Sequence, residues 1–297
     1  MACPEPVERS PLMSASYPVD ARASPTVLVT GASSGIGRAV ARRFADHGFI
    51  VFGTSRRPRP GIDDVEGVEM LPLDVTVADS VQNCIDTVLG RTGRIDVLVN
   101  NAGVLHVGVA EETSTAQAEA VFATNLFGVA RVSNAVLPGM RARRRGRIIN
   151  IGSLAAWVGE PGSGFYAASK AALARYTEAL HHEVADLGVD VSIIECGAFA
   201  TNIGPAASTS ANPIPDYGHT RLVTHRTMHR RLGSGGNPST IAELVLEIAQ
   251  CPEPRLNYGA SPEARRVPAM KVLLPERLRN GRLRRHFGLR PRRPRSP

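Results

Sequence analysis

The length of the chain, 297 residues, suits one α/β domain or two small domains with a substantial core, and we expect one domain. Its composition, 43% hydrophobic and 21% charged with 28 glycines and 22 prolines, is typical of a folded soluble protein and excludes a linker protein or a coiled coil. The formal charge of +8 is local: nine arginines and no acidic residue lie in 277–297, and the other 276 residues carry a net −1, so no nucleic-acid partner is expected.

Residues 1–24 form a predicted flexible leader, because they are rich in proline, serine and alanine and show no apolar periodicity. They lack the basic start and apolar core of a signal peptide. No later apolar run reaches the roughly 18 residues needed to cross a bilayer. A cytoplasmic location is therefore expected. The four cysteines are far apart and show no CxxC spacing, so no metal site is expected either.

From residue 25 onward, short β-branched apolar runs alternate with amphipathic helical segments. The predicted strands lie at 26–30, 49–54, 68–75, 95–101, 146–153 and 189–197, with a short one at 254–259, and the predicted helices lie at 37–48, 80–93, 116–140, 166–188 and 238–251. Strands this apolar, separated by helices, favour a parallel sheet buried on both faces with right-handed crossovers. The prediction is a single doubly wound, Rossmann-like α/β domain over 25–270.

Two further segments follow from composition. Residues 202–237 are rich in proline, serine, glycine and histidine, which predicts a long irregular substrate loop. Residues 271–297 form a basic C-terminal tail, in which Leu278, Leu283 and Phe287 stand among arginines. Such a pattern could dock over a substrate opening or lie on an anionic membrane. A frayed helix with a disordered end is the preferred interpretation, so membrane contact is not expected.

A glycine-rich turn stands between the first predicted strand and the first helix. In TGASSGIG, Gly31, Gly35 and Gly37 let backbone N–H groups approach a pyrophosphate at the positive end of a helix. The spacing is GxxxGxG rather than GxGxxG, and a tight connection without a ligand is the alternative. The position of the turn, after an apolar strand and before a helix, favours a nucleotide.

The residues after the second predicted strand indicate which nucleotide. An acidic residue there would bind the free 2′-hydroxyl of NAD, but the sequence reads FGTSRRPRP, with no acid before Asp63. Arg56 and Arg57 supply guanidinium groups that suit a 2′-phosphate, the alternative being a solvated arginine loop. NADP(H) is the predicted cofactor.

The segment YAASK places Tyr166 and Lys170 four residues apart, on one face of a helix. An ammonium group beside the phenol is expected to lower the pKa of Tyr166 from about 10 and make it an acid/base near neutral pH. The chain has only two lysines and five tyrosines, so this pairing is informative. A tyrosine packed on a helix face beside an exposed lysine is the alternative.

Together these motifs resemble the short-chain dehydrogenase/reductase family in its single-domain form. The matching segments are TGASSGIG (30–37), LDV around Asp74, NNAG (100–103), ATNLFG with Asn125, INIGS with Ser153, YxxxK, and CGAFAT (196–201). They follow the family's order. One departure is Cys196, where the family commonly has proline before Gly197, which puts the geometry of the following loop in doubt.

The resemblance implies four catalytic residues. Ser153 would hydrogen-bond the substrate oxygen, Tyr166 would exchange a proton with it, Lys170 would hold the nicotinamide ribose and tune the tyrosine, and Asn125 would maintain a water-linked proton relay. Hydride would pass between C4 of the nicotinamide and the substrate carbon. The implied cofactor-binding residues are Gly31, Ser33, Ser34, Gly35, Ile36, Gly37, Arg56, Asp74, Val75, Asn101, Ala102, Gly103, Tyr166, Lys170, Phe199 and Thr201.

Within the family, FGTSR and the segment 236–264 resemble most the branch of 17β-hydroxysteroid and retinol dehydrogenase-like enzymes. This implies a reductase acting on a lipophilic ketone or secondary alcohol, with Ser153, Leu105 and Trp157 facing the substrate. Trp157 as a core residue is the alternative.

Two other functions stay open from the sequence alone. A reductase of 3-oxoacyl or polyketide thioesters would need a basic docking face, for which Arg131 and the run 141–147 are candidates. A non-enzymatic NADP(H)-binding regulator is a rival from another class. By resemblance, the helices at 116–140 and 166–188 would pair subunits in a homodimer or homotetramer.

Overall fold

The fold is built on a seven-stranded, wholly parallel sheet in the order β3-β2-β1-β4-β6-β7-β9. The computed structural model describes residues 24–199, 201, 203–204, 206–210 and 212–289. The strands are β1 Thr26–Val29, β2 Ile50–Ser55, β3 Val68–Pro72, β4 Val97–Asn100, β6 Gly146–Ile151, β7 Val189–Glu195 and β9 Asn257–Gly259, with β5 (His106–Val107) and β8 (Ser208–Thr209) paired separately. The predicted doubly wound α/β class is confirmed.

Helices cover both faces of this sheet. They are α1 Gly35–Ala45, α2 Ala78–Thr92, α3 Thr115–Phe122, α4 Val129–Ala142, α5 Gly164–Val184, α6 Gly218–Gly233, α7 Pro238–Gln250, α8 Pro262–Leu273 and α9 Glu276–His286. The alternation along β1 shows the two layers: Val27 and Val29 pack on the α1–α7 side, and Leu28 packs on the α2–α4–α5 side. A strand apolar at every position is what a sheet buried on both faces requires.

The segment between α3 and α4 is a single π-helical turn, residues 123–128, inside one continuous helix from Thr115 to Ala142. Turns of this kind are frequent at functional sites, and this one carries Asn125. The whole helix has the length and apolar composition of a membrane span. Its α4 part instead packs on the sheet, with Val132, Val136 and Met140 buried, as core helices of soluble proteins do.

The predicted irregular loop at 202–237 is partly wrong, because it contains the sixteen-residue helix α6. Arginine and histidine dominate this helix, so its apolar periodicity is weak. Long-range polar contacts hold it instead. The buried carboxylate of Glu112 accepts a hydrogen bond from the Ile214 backbone N–H at 2.7 Å and forms an ion pair with Arg221.

The predicted boundary at residue 270 falls inside α8, so helix rather than tail continues to Leu273. Ser261 caps α8 through the Ala264 backbone N–H at 3.1 Å, and Pro262 occupies its first position. After α9 the chain packs against the domain, where Phe287 is fully buried beside Leu105 and Met228. The helix expected at 276–289 is present as α9, and the burial of Phe287 corrects the expectation that it is frayed. The leader, apart from Ser24, and residues 290–297 lie outside the described residues.

The run 141–147, a candidate for a basic docking face beside the pocket, does not line the cavity described below. Arg147 lies within β6 and is buried, with its guanidinium on the Ile248 carbonyl at 2.5 Å and on the Asp190 carboxylate at 2.7 Å. Arg143 donates to the Ile95 carbonyl at 2.8 Å. These arginines tie helix ends to the amino edge of the sheet, whereas the glycine-rich turn lies at the carboxyl edge.

Candidate active site

The glycine-rich turn is bound to the end of β4. Asn101 donates from Nδ2 to the carbonyls of Thr30 and Gly31 at 2.9 and 3.0 Å, and Thr30 Oγ1 accepts the backbone N–H groups of Asn101 and Ala102, both at 3.0 Å. A Cβ at Gly37 would lie 2.3 Å from the Gly31 carbonyl oxygen. The close approach of two backbones therefore requires glycine at this position.

The N-terminus of α1 faces the same opening. Its N-cap, Ser34, makes no side-chain cap hydrogen bond, and the first turn of the helix holds no acidic residue. Backbone N–H groups at a helix start that are left without a side-chain cap suit an anion. The cradle therefore fits the pyrophosphate of a dinucleotide.

Arginines line the adenosine end of the cavity. At the end of β2 and just after it, the wall consists of Ser55, Arg56, Arg57 and Arg59. The acidic residue nearest in sequence, Asp63, is held by Arg59, whose Nη2 lies 2.8 Å from its carboxylate and whose backbone N–H lies at 2.9 Å. The Arg59 hydrogen bonds hold the pKa of Asp63 below its usual range. The negative charge of the Asp63 carboxylate is therefore paired with the guanidinium group of Arg59.

Asp74 and Val75 lie beside these arginines, where the adenine was expected. The Asp74 carboxylate accepts hydrogen bonds from the Thr76 hydroxyl at 2.6 Å and from its backbone N–H at 2.9 Å. These bonds, with charge from Arg56 and Arg131, keep the pKa of Asp74 low. Arg131 itself donates to the Val75 carbonyl at 2.6 Å, so it supports the cofactor wall rather than a docking face.

Tyr166 and Ser153 meet at the centre of the cavity. Ser153 follows β6, and Tyr166 stands in the first turn of α5. Burial raises the pKa of Tyr166 to about 12, while a hydrogen bond with Ser153 acts in the opposite direction. The expectation of a lowered phenol pKa is therefore wrong, because desolvation outweighs the favourable contacts. The phenol is protonated at neutral pH, as a proton donor must be.

Lys170, one turn after Tyr166 on α5, also lines the cavity. Its ammonium group donates to the Ile151 carbonyl at 2.9 Å, and its burial lowers the pKa to about 8. A lysine with this pKa is charged at neutral pH but loses its charge in mildly alkaline solution.

Asn125 lies behind these residues and is fully buried. It accepts the Val104 N–H and donates to the Val104 carbonyl, both at 2.9 Å, and donates to Ser169 Oγ at 3.1 Å. Ser169 Oγ in turn donates to the Tyr166 carbonyl at 2.7 Å. Asn125 thus links the strand-end loop to α5.

The nicotinamide end of the cavity is lined by Phe199 and Thr201 together with Cys196. Cys196 stands where the family commonly has proline. Its carbonyl accepts the Leu154 N–H at 2.8 Å, and burial raises its thiol pKa to about 12. The backbone is therefore held by this hydrogen bond, and the thiol is neutral.

The substrate end is apolar apart from one ion pair. Leu105, Ile203, Met228 and Leu232 line it, and Phe287 packs behind Leu105 and Met228 in the same cluster as Tyr166. The C-terminal segment therefore supports the pocket wall.

The ion pair joins Arg231 on α6 to Glu160, with Nη1 and Oε1 2.5 Å apart. Both side chains line the cavity, and the Glu160 carboxylate is near enough to raise the pKa of Tyr166. Neither residue, nor Leu232, was identified from the sequence, because Glu160 and Arg231 are 71 residues apart and belong to no motif.

The cavity, of about 1010 Å³, brings most of the predicted site residues together. Those that line it are Gly31, Ser33, Ser34, Gly35, Ile36, Arg56, Asp74, Val75, Asn101, Ala102, Gly103, Leu105, Ser153, Tyr166, Lys170, Phe199 and Thr201. Gly37 and Asn125 lie behind the wall. The expectation that Trp157 faces the substrate is corrected by the structure. Its indole N–H donates to the Glu195 carboxylate at 2.5 Å, and Trp157 does not line the cavity.

Comparison with known proteins agrees with this geometry. A family model described as short chain dehydrogenase matches residues 25–212. The chain is 35% identical over 238 residues to a 3-ketodihydrosphingosine reductase of Bacteroides thetaiotaomicron, covering 80% of this chain and 87% of that protein. It is 37% identical over 185 residues to the 3-oxoacyl-[acyl-carrier-protein] reductase FabG of Escherichia coli, covering 61% and 76%.

Solved structures give the same result. A short-chain dehydrogenase from Streptomyces avermitilis superposes with a TM-score of 0.77 at 34% identity, covering 88% of this chain and 95% of that one. A short-chain dehydrogenase/reductase from Burkholderia phymatum in complex with NAD gives 0.72 at 26% identity, covering 92% and 98%. The protein belongs to the short-chain dehydrogenase/reductase family, and it is an oxidoreductase acting on CH–OH or C=O groups with a nicotinamide cofactor.

Proposed function

We propose that this protein is an NADP(H)-dependent reductase of lipophilic ketones, reversible as a secondary alcohol dehydrogenase. The observation that carries the proposal is the position of Tyr166 and Ser153, which line the same cavity, with Tyr166 at the edge of its apolar pocket. Such a pocket favours an apolar substrate, and its few polar groups select the orientation of the reacting carbonyl.

The chain's own residues account for the proton transfer. The Ser153 hydroxyl holds the ketone oxygen, and the Tyr166 hydroxyl donates its proton to that oxygen as negative charge develops there. The Lys170 ammonium lies on the same helix face and stabilises the phenolate that remains. When bound, the nicotinamide supplies the hydride to the carbonyl carbon.

The preference for NADP(H) is supported by the adenosine end. Arg56 and Arg57 line the cavity there, and the Asp63 carboxylate, which would otherwise repel a 2′-phosphate, is paired with Arg59. Guanidinium groups bind phosphate through several charge-assisted hydrogen bonds.

The substrate class is supported by the composition of the other end. An apolar wall with one ion pair, Glu160–Arg231, suits a long apolar molecule that carries polar groups next to its ketone. The similarity to a 3-ketodihydrosphingosine reductase makes a long-chain 3-keto lipid the first substrate to test; steroids and retinoids are the other lipophilic classes.

A second candidate is reduction of a 3-oxoacyl thioester on a carrier protein. The observation in its favour is the arginine-rich α9, which lies beside the pocket through Phe287 and gives a basic surface there. The similarity to 3-oxoacyl reductases supports the same chemistry on a different carrier.

The experiment is NADPH consumption over a panel of long-chain 3-keto lipids, steroids, retinoids and 3-oxoacyl thioesters. Tyr166→Phe is assayed in parallel, with Tyr217→Phe as the matched control, because Tyr217 only hydrogen-bonds Glu111 at the surface. Turnover that Tyr166→Phe loses and Tyr217→Phe keeps supports the proposal. Tight NADPH binding without turnover of any member would instead favour a non-enzymatic NADP(H)-binding regulator.

A further inference from the structure

The positive charge of the protein is concentrated in its C-terminal helices. Residues 262–297 contain twelve basic and two acidic side chains, while residues 1–261 carry a net charge of −2. Eight of the twelve stand on or beside α8 and α9, within the described residues. The C-terminal part of the sequence is therefore strongly cationic, although the rest is nearly neutral in net charge.

Large apolar side chains are exposed on the same two helices. Val272 and Leu273, at the end of α8, are each 78% exposed, and Leu278, at the start of α9, is 57% exposed. The Arg279 guanidinium donates to the Lys271 carbonyl and so holds the two helices together at their junction. The three apolar side chains consequently lie around one helical corner.

The two faces of α9 have different partners. Leu283 and Phe287, four residues apart, pack inward on the pocket cluster. Leu278 precedes Phe287 by nine residues, which at about 100° per residue places it on the opposite side of the helix. Arg282 and Arg285 are exposed as well. The outer face thus combines cationic and apolar groups while the inner face is anchored in the protein.

We propose that this C-terminal basic surface, formed by the exposed side chains of residues 265–285, docks on an anionic lipid bilayer. Arginines attract anionic headgroups, and Val272, Leu273 and Leu278 insert among the acyl chains. The binding of an amphipathic surface to a membrane strengthens with the apolar area that it buries and with its attraction to anionic lipids, and this corner supplies both.

The position of the surface connects docking to the pocket. α8 packs against the turn at 154–156, which lines the cavity, and α9 is joined to the pocket wall through Phe287. A lipophilic ketone therefore enters from the bilayer without crossing bulk water. This last step rests on the proposed function, whereas the docking itself does not.

Two other occupants would use parts of the same surface. An acidic carrier protein would pair with the arginines, and a second copy of this chain would cover the apolar side chains. The chemistry favours the bilayer because, within the described residues, eight basic side chains stand on or beside the same two helices that carry the exposed apolar corner.

The test is co-sedimentation of the full-length protein with vesicles, without substrate or cofactor. We expect binding to phosphatidylcholine vesicles that contain phosphatidylglycerol, none to phosphatidylcholine alone, and release by added salt. The variant Leu273→Ser/Leu278→Ser should lose the binding and keep its turnover of a water-soluble ketone. Ile62→Ser, which removes an exposed apolar residue elsewhere (61% exposed), should still bind.

Other outcomes overturn the proposal. Equal binding to both kinds of vesicle, or unchanged binding by the double variant, would contradict it. If the double variant instead changes the oligomeric state, the surface is an interface between copies; if the protein binds an acidic carrier protein but no vesicle, it is a carrier site. Failure of turnover with vesicle binding intact would count against the proposed function alone.

Discussion

The cofactor half and the substrate half of the cavity are held together in different ways. At the cofactor end, backbone geometry dominates: Gly37 approaches the Gly31 carbonyl, and Asn101 fastens the turn to β4. At the substrate end, side chains from α6 and the C-terminal segment build the wall, and contacts between distant residues such as Glu160 and Arg231 close it. The first end provides a cofactor site common to a family, and the second provides selection of a substrate.

The largest effect is expected where the two halves meet. Tyr166→Phe removes the proton donor but keeps the ring, so kcat should fall on the order of 10²- to 10⁴-fold. The dissociation constant for NADPH should change little, because the phenol belongs to the chemistry. Stopped-flow turnover and a fluorescence titration measure the two quantities, and a variant that keeps most of its kcat would contradict the role of Tyr166.

Gly37→Ala tests the backbone-built half. Its Cβ would lie 2.3 Å from the Gly31 oxygen and 2.4 Å from Asn101 Nδ2, so the turn must open and NADPH binding should be lost or greatly weakened. Gly90→Ala is the control, since nothing lies within 4 Å of that Cβ in α2. It should stabilise the protein by up to about 1 kcal/mol in thermal unfolding. Equal NADPH affinity in both variants would contradict the claim that the close backbone approach at Gly37 is needed to bind the cofactor.

Arg56→Ala separates the two nicotinamide cofactors. Loss of a charge-assisted contact to a 2′-phosphate should weaken NADPH binding roughly tenfold and leave NADH nearly unchanged. Isothermal titration with each cofactor checks this. A parallel loss for both cofactors would mean that Arg56 contacts a group they share.

The pH dependence tests Lys170. Because burial lowers its pKa to about 8, the lysine carries its charge below that pH and loses it above, and kcat/KM for ketone reduction should fall as the pH rises through about 8. Lys271→Gln, at the only other lysine, should leave the profile unchanged. Lys170→Arg should move the falling limb to higher pH in whatever activity remains, and an unmoved limb would assign it to another group.

Phe287→Ala tests the side-chain-built half, and its effect should be confined to substrate binding. Removing the ring behind Leu105 and Met228 should raise KM for a lipophilic ketone by about tenfold. NADPH affinity should be unchanged. Leu278→Ala, on the outer face of the same helix, is the control in detergent-free assays with a dissolved substrate. An unchanged KM in Phe287→Ala would show that the pocket does not depend on the C-terminal segment.

The same division explains what could be predicted from the sequence. The strands of the main sheet follow from apolar runs, and the cofactor and catalytic residues follow from motifs whose members are close in sequence, such as Tyr166 and Lys170. The short pair β5–β8 and helix α6 were missed, because two-residue strands and an arginine-rich helix show little periodicity.

The substrate side depends on contacts that no local pattern carries. Phe287 is buried against residues more than fifty positions away in sequence, and the indole of Trp157 turns to Glu195 instead of the cavity. The pKa of Tyr166 was expected to fall and instead rises, because burial depends on packing around α5 rather than on the spacing to Lys170.

The most direct test compares kcat/KM for a long-chain 3-keto lipid with that for a short, water-soluble ketone, both with NADPH and with the alcohol product quantified. We expect a higher kcat/KM for the long-chain ketone, one alcohol formed per NADPH consumed, and a loss of the difference between the two substrates in Phe287→Ala. Preference for the short ketone, or consumption of NADPH without formation of alcohol, would contradict a lipophilic ketone reductase.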